Sequence, residues 1–276
     1  MFCMVKDLFA NDHNFNNELI DQRGMFVAQH NDLIVQADYD LSARELKIMD
    51  FLISRIKPED EKFNIIYTSL YEISQVLNLK RSGQTYNQIA ENIRELRRKE
   101  VRILGHGEKG RSITITGWIS EPTFYENGQV EILISEKFMP FLLDLRNKGN
   151  YTQHLLFDTV KLDSKYSIRL YKLMREANKD KGRTRPILKG SPDELKMLLS
   201  APEAYSWPDL RKNVLNRAID EINLQIDDMD LQLNVGKRGR KVVHVEIANL
   251  FYPRKPNLHD EDFEPVPMVD WMKDFK

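Results

Sequence analysis

Cysteine is almost missing from the sequence: Cys3 is the only one in 276 residues. A lone thiol closes no internal disulfide and supplies no thiolate cluster for zinc, so a reducing, cytoplasmic setting is the expectation. Long apolar runs are missing too. No segment reaches the roughly 20 apolar residues that cross a bilayer. In "MFCMVKDLFAND", Lys6 and Asp7 break the apolar stretch before it becomes a leader. No membrane partner is expected.

The chemistry-bearing residues are thinly spread. Six histidines, at 13, 30, 106, 154, 244 and 259, include no pair at zinc-ligand spacing. His244, in "VVHVE", lacks the second histidine that a metal-dependent DNA-nicking site needs, and no nucleophile elbow occurs. "GHGEKGRS", residues 105 to 112, approaches the phosphate-cradling pattern G-x-x-x-x-G-K-[ST] with Arg111 in the lysine's place. That pattern needs a helix after the loop, whereas "SITITGWI" alternates as a strand does. It reads as a hairpin turn. No catalytic site, cofactor or metal is expected, and the chain is read as a non-enzyme.

Net charge is also nearly absent, at −1, but the total hides an uneven distribution. Between Lys161 and Lys255, basic residues outnumber acidic ones 20 to 13, while the tail "HDEDFEPVPMVDWMKDF" is acidic. A basic half suits a polyanionic partner, although charge runs are commonly just solvated faces.

Residues 1–28, rich in Asn and Asp and without a period, read as a flexible N-terminal arm. "LSARELKIMDFLISRI" then has helical spacing, with Ser42 as N-cap and Glu45 closing a capping box. "KFNIIYT" reads as a short strand, "LYEISQVLNL" as a helix capped by Thr68 or Ser69, and "TYNQIAENIRELRRKEV" as a third helix. "VRILG" and "RSITITGWIS" alternate as a hairpin. About 121 residues later the order recurs: helix "LDSKYSIRLYKLMREAN", strand "RTRPILKG", helix "SPDELKMLLS" with Ser191 as N-cap and Pro192 first, and helix "SWPDLRKNVLNRAIDEINLQI" capped by Ser206. The hairpin "LQLNVGKRGRKVVHVEI" ends it. Leu41 then matches Leu162, Ile89 matches Leu210, Ile93 matches Val214, and Val101 matches Ile222. A period this long signals a duplicated domain rather than a solenoid.

Helix, strand, helix, helix, hairpin is the order of a winged helix-turn-helix. The expected fold is α+β, two tandem winged-helix domains related by internal duplication. The first spans 29–145. The second spans 146–255, followed by an acidic tail at 256–276. In this arrangement the third helix enters a major groove roughly 12 Å wide and the hairpin reaches the backbone.

Candidate contacts follow from chemistry. In the second third helix, Leu210, Val214, Leu215, Ala218, Ile219 and Ile222 share a core face, while Lys212, Asn213, Asn216 and Arg217 point elsewhere and Arg211 lies near the boundary, its stem placed to pack and its head to reach out. Asn pairs bidentately with adenine, and Arg or Lys with guanine. Asp209, Asp220 and Glu221 would repel phosphate, so contact should favour the N-terminal half. The wing offers Lys237, Arg238, Arg240 and Lys241 for backbone contact. The first third helix offers Asn87, Arg94, Arg97 and Arg98, preceded by Arg81, but Glu91, Glu95 and Glu100 can pair with those arginines. The loop "ANKDKGRTRP" adds Arg183 and Arg185, with Lys179 and Lys181.

With these residues in view, the chain resembles the replication initiator (Rep) proteins of theta-replicating plasmids, the RepB-type initiators with two winged-helix domains. The likeness rests on "NDLIVQADYDLSARELKIMDFLISRI", "LDSKYSIRLYKLM" and "LRKNVLNRAIDEINLQIDDMDLQLNVGKRGRKVVHVEI", collinear over about 220 residues. It implies binding of direct repeats (iterons) in double-stranded origin DNA, opening of an adjacent AT-rich segment, and recruitment of a host initiator and replicative helicase. It also implies an equilibrium of monomer and homodimer, the dimer repressing its own promoter through an operator inverted repeat and the monomer initiating replication. In such proteins the second winged helix is the principal reader, and the first serves dimerisation, DNA contact or both. Within "SKYSIRLY", Tyr166, Ile168, Leu170 and Tyr171 are expected to pack, and Ser164, Lys165 and Arg169 are candidates for phosphate. Arm and tail lie outside the likeness. A winged-helix transcriptional regulator is the neighbouring alternative; a nicking or NTP-hydrolysing replication enzyme is the distant one, disfavoured by the missing histidine pair and the strand after "GHGEKGRS".

Overall fold

The computed structural model describes residues 26–107, 110–177 and 186–251. Most of the expected arm, the acidic tail, and the loop holding Lys179, Lys181, Arg183 and Arg185 lie outside the described residues. The chain opens with β1 (Phe26–His30), α1 (Asn31–Val35) and β2 (Ala37–Tyr39). The first repeat follows as α2 (Ala43–Ile53), β3 (Ile66–Ser69), α3 (Leu70–Val76), α4 (Gly83–Arg98), β4 (Glu100–Gly107) and β5 (Gly110–Gly117). An excursion holds β6 (Thr123–Phe124), β7 (Gln129–Ile132), α5 (Met139–Leu142), α6 (Leu145–Lys148), β8 (Tyr151–Leu155) and α7 (Leu156–Lys161). The second repeat is α8 (Lys165–Ala177), β9 (Ile187–Gly190), α9 (Pro192–Leu198) and α10 (Trp207–Leu210). A π-helical stretch, Arg211–Leu215, then leads into α11 (Asn216–Gln225), β10 (Leu231–Arg238) and β11 (Lys241–Asn249). Among the described residues no helix is long and apolar enough to cross a membrane.

The helices start where their caps dictate. Ser42 and Glu45 form a reciprocal capping box, as do Ser191 with Glu194 and Ser206 with Asp209, while Ser69 caps α3. Each box satisfies N–H groups that a helix start leaves without partners. Pro192 and Pro208 occupy first-turn positions where no N–H is needed.

Both repeats have the winged-helix order, but their sheets differ. In the second, β9 pairs with β11 and β11 with β10, one three-stranded wing sheet. In the first, β4 pairs with β5 and β2, while β3 pairs with β7 from the excursion. The described residues of "GHGEKGRS", 105–107 and 110–112, fall on β4 and β5, which pair with each other, and among the described residues a strand rather than a helix follows the glycines.

The expected arm is shorter than its assigned span. Residues 26–28 are strand, because β1 pairs with β8 in register from Phe26 opposite Leu155 to His30 opposite Tyr151. Val27 and Ala28 are buried there. The segment expected to begin the second domain is thus hydrogen-bonded to the start of the first. The 121-residue equivalence also ends earlier than expected. Leu41, Leu162, Ile89, Leu210, Ile93 and Val214 are all buried core, but Val101 lies in β4 and Ile222 in α11. The second third helix gains a π stretch and runs on to Gln225, whereas α4 stops at Arg98.

The two repeats meet through their equivalent first helices, α2 and α8. At their contact, Lys172 Nζ donates to Asp50 Oδ1 at 2.5 Å, and His154 Nε2 lies 3.5 Å from Asp50 Oδ2. All three are buried. Burial opposes ionisation of Asp50, but the Lys172 ammonium and His154 outweigh it and hold the carboxyl below the usual carboxylate range. Burial pushes the His154 imidazole down, favouring the neutral ring.

Candidate nucleic-acid interface

The second third helix is built with two faces. Leu210, Val214, Leu215, Ala218, Ile219 and Ile222 are buried against the rest of the repeat. Arg211, Lys212, Asn216 and Arg217 are exposed and Asn213 is half-buried. Among the described residues none of these five side chains forms a hydrogen bond or ion pair. Of the acidic residues on the same helix, the Asp209 carboxylate serves the Ser206 cap and Glu221 accepts from Asp163 N and Ser167 Oγ on the α8 side, while Asp220 is exposed and without a hydrogen bond or ion pair among the described residues. The face left bare is cationic and rich in donors. The π stretch spans Arg211–Leu215, the turns that carry the first three of its polar residues.

The wing stands beside this helix. Asn223 holds them together, its amide donating to Leu231 O and its carbonyl accepting from Leu231 N. The two strands join through Gly239 and Arg240, with Gly239 at φ 62°, a left-handed backbone that favours glycine. A register shift between Gly236 and Lys237 adds a bulge. Lys237, Arg238, Arg240 and Lys241 are all exposed. Arg238 and Lys241 face each other directly across the hairpin. Like charges so placed repel and destabilise a strand pair, a cost that a polyanion would offset.

Between wing and helix lies a cleft of about 550 Å³, lined by Ser191, Tyr205, Trp207, Leu210, Arg240 and Lys241 among others. Tyr205 and Trp207 were not among the expected contacts. The cap sequence "SWPDL" marked a helix start there, but nothing in it announced an aromatic wall facing the wing.

The first repeat arranges its candidates differently. Arg94 Nη1 donates to Glu91 at 3.0 Å and the guanidinium lies 5.1 Å from the Phe124 ring centre. Arg98 Nη1 reaches Glu95 at 2.8 Å and Glu91 at 3.3 Å, pairing that holds its guanidinium protonated above the usual range. Arg97 donates to Ser120 O, and Arg81 donates to Gln75 and stacks on Tyr71. Asn87 is exposed on the same helix. Its hairpin is apolar outside: Leu104 and Ile113 face each other across the strands, at 50% and 62% exposure, next to Ile115.

Within "SKYSIRLY", Ile168, Leu170 and Tyr171 are buried as expected, with Tyr166 partly so. Arg169 departs from expectation. It is 4% exposed and donates to two backbone carbonyls inside the protein, so it offers nothing to phosphate. Lys165 is paired with Asp40, and Ser164 accepts from Tyr166 N. Among the described residues no group of three His, Cys, Asp or Glu side chains is placed to hold a metal ion.

A family profile described as initiator replication protein, WH1, matches residues 26–175, and a second, initiator Rep protein, WH2, matches 191–249. The chain belongs to the initiator replication protein family. Both expected winged helices of this initiator are thereby accounted for, with the first profile reaching through β8 and most of α8. Among solved structures, the Pi initiator protein in complex with iteron DNA superposes with TM-score 0.67 at 18% identity, over 83% of this initiator and 98% of that chain. Domains 2 and 3 of RctB align at TM-score 0.47 and 12% identity, over 75% and 80% of the two chains. At 18% identity the likeness to the Pi protein concerns the fold. No curated protein matches the sequence.

Proposed function

We propose that this initiator starts plasmid replication without catalysing a reaction itself, by binding direct repeats in double-stranded origin DNA through its second winged helix. The observation that carries the reading is the bare cationic face of Arg211, Lys212, Asn213, Asn216 and Arg217 beside a wing whose like charges oppose each other. Helix donors would read base edges, and Lys237, Arg238, Arg240 and Lys241 would hold phosphates. The Pi protein, which shares the fold, was crystallised with iteron DNA. Local opening of an AT-rich segment and recruitment of a host initiator and helicase belong to the same reading.

A homodimer through the first winged helix, acting on an operator inverted repeat, completes the proposal. It is supported by the outward apolar pair Leu104 and Ile113 with Ile115 beside them. The test is a binding titration of the full chain against DNA flanking its coding region. Tandem repeats should bind with steep salt dependence, since each neutralised phosphate adds about 0.9 to the slope of log affinity on log salt. Absence of sequence-specific binding at any salt would overturn the reading.

A further inference from the structure

One side chain in the joint between the two winged helices reaches both of them: Arg169 on α8. Its Nε donates to Leu198 O at 2.8 Å and its Nη1 to Tyr39 O at 3.2 Å. Its guanidinium carbon sits 4.1 Å from the centre of the Tyr39 ring. The same Tyr39 carbonyl accepts from Ser200 Oγ at 2.7 Å. Leu198 and Ser200 belong to the end of α9 and the turn after it, the turn of the second helix-turn-helix. Ser200 holds φ 47°, a left-handed backbone that a non-glycine residue adopts at a cost and that surrounding contacts must sustain. Outside it, Lys165 Nζ pairs with Asp40 at 2.8 Å.

The packing continues into the first domain. Tyr39 meets Trp118 edge-on, centroids 4.9 Å apart, and Trp118 stacks on Phe138 at 4.9 Å. Trp118 follows directly on β5, the second strand of the first hairpin. A packed line thus runs from the first domain's core, through Tyr39 and Arg169, to the turn that precedes the second reading helix. Interfaces between domains of one chain ordinarily permit relative motion. A buried guanidinium with fixed donors in two directions removes that freedom in a way that lysine, with one rotating ammonium, does not.

We propose that Arg169, acting through Tyr39 and Ser200, is the positioning residue that fixes the angle between the two winged helices and so sets the spacing of DNA contacts the protein accepts. The inference rests on the DNA-binding reading above. It adds a secondary contact of the first winged helix with the same repeat, through α4, where Asn87 is exposed; two modules on one duplex must face grooves separated by a set rise, about 34–36 Å per helical turn, so a joint that yields changes which spacing fits.

The test uses the full chain and three duplexes: the natural repeat, and the repeat with one or two base pairs inserted between the segments that hydroxyl-radical footprinting assigns to the two domains. Wild type should bind the inserted duplexes about tenfold more weakly or worse, on the order of the penalty for one mismatched base pair. Arg169→Lys should bind the natural repeat more weakly yet discriminate the inserted ones by no more than about twofold. Ser200→Ala, which removes one hydroxyl from the joint, should show the same loss of discrimination in milder form if Arg169→Lys folds poorly by thermal melting. An undiminished spacing penalty in the folded variants, or a wild type indifferent to insertion, would overturn the inference while leaving the DNA-binding reading intact. Failure of wild type to bind the natural repeat specifically would overturn both.

Discussion

The two winged helices follow one order of elements and present opposite surfaces. In the first, α4 exposes arginines that are already engaged by Glu91 and Glu95, and the hairpin beyond it turns Leu104, Ile113 and Ile115 outward. In the second, the equivalent helix keeps its cations bare, and the hairpin carries four exposed basic residues at its tip. Among the described residues, the arginines of α4 are paired within their module, whereas the cations of the second helix have no partner. A fold offers positions, and the side chains at those positions decide what the surface does. The sheets diverge accordingly. The second wing is anchored by β9, while in the first β3 pairs with β7 and β4 takes β2 as its second neighbour, leaving the outer face of that hairpin uncovered.

The largest expected effect is at the contact of α2 with α8, whose Asp50 and Lys172 both lie within the span of the first profile. Lys172→Ala leaves the Asp50 carboxylate buried without its ammonium, and should cost about 3–5 kcal/mol of stability, seen as a fall in thermal midpoint. Next comes the contrast between the helices. Arg217→Ala should weaken binding to the repeat by about 1–3 kcal/mol, with relaxed preference at one base pair, if it makes a bidentate base contact. Arg98→Ala on the first helix should change repeat affinity far less, because its guanidinium is held by two glutamates. Equal losses in the two variants would erase the proposed division of labour. Replacing Lys237, Arg238, Arg240 and Lys241 together by alanine should lower the salt slope by about 0.9 for each phosphate no longer neutralised, with base preference largely kept.

The smallest effect is one of pH. The His154 pKa is depressed below its ordinary 6.5 by burial, so above that pH neither folded nor unfolded chain gains a proton there. As pH falls below about 6.5 the unfolded chain protonates first, and stability declines until the folded pKa is reached. Asp50, also depressed, adds its own loss only below its ordinary 3.8. The thermal midpoint of wild type should therefore fall between pH 7 and 5 by more than that of His154→Gln.

Much of this was legible in the sequence because the signals were local. Caps at Ser42, Ser191 and Ser206, the apolar spacing of α8, and alternation around Gly239 each act within a few residues, and all reappear as expected. Pairing of β1 with β8 joins segments more than a hundred residues apart, and no nearby residue announces it. Arg169 was misjudged for a related reason. A basic residue on a helix of unknown neighbours looks free, and only the arrival of Tyr39 and the α9 turn shows its donors to be taken. On the candidate interface, sequence chemistry found the exposed polar set of the second helix, since the buried set fixes by elimination which face remains. It could not find the aromatic wall at Tyr205 and Trp207, which exists only once wing and helix are brought together.

The π stretch at Arg211–Leu215 gives the proposed reading helix a phase of its own. Each residue of an α-helix advances about 100° around the axis, so a wide turn at this place swings Arg211 and Lys212 relative to Asn216 and Arg217. The helix behaves as two short dials on one shaft, and a one-residue deletion between them would keep every amino acid of the contact set while pointing half of it at a different part of the groove.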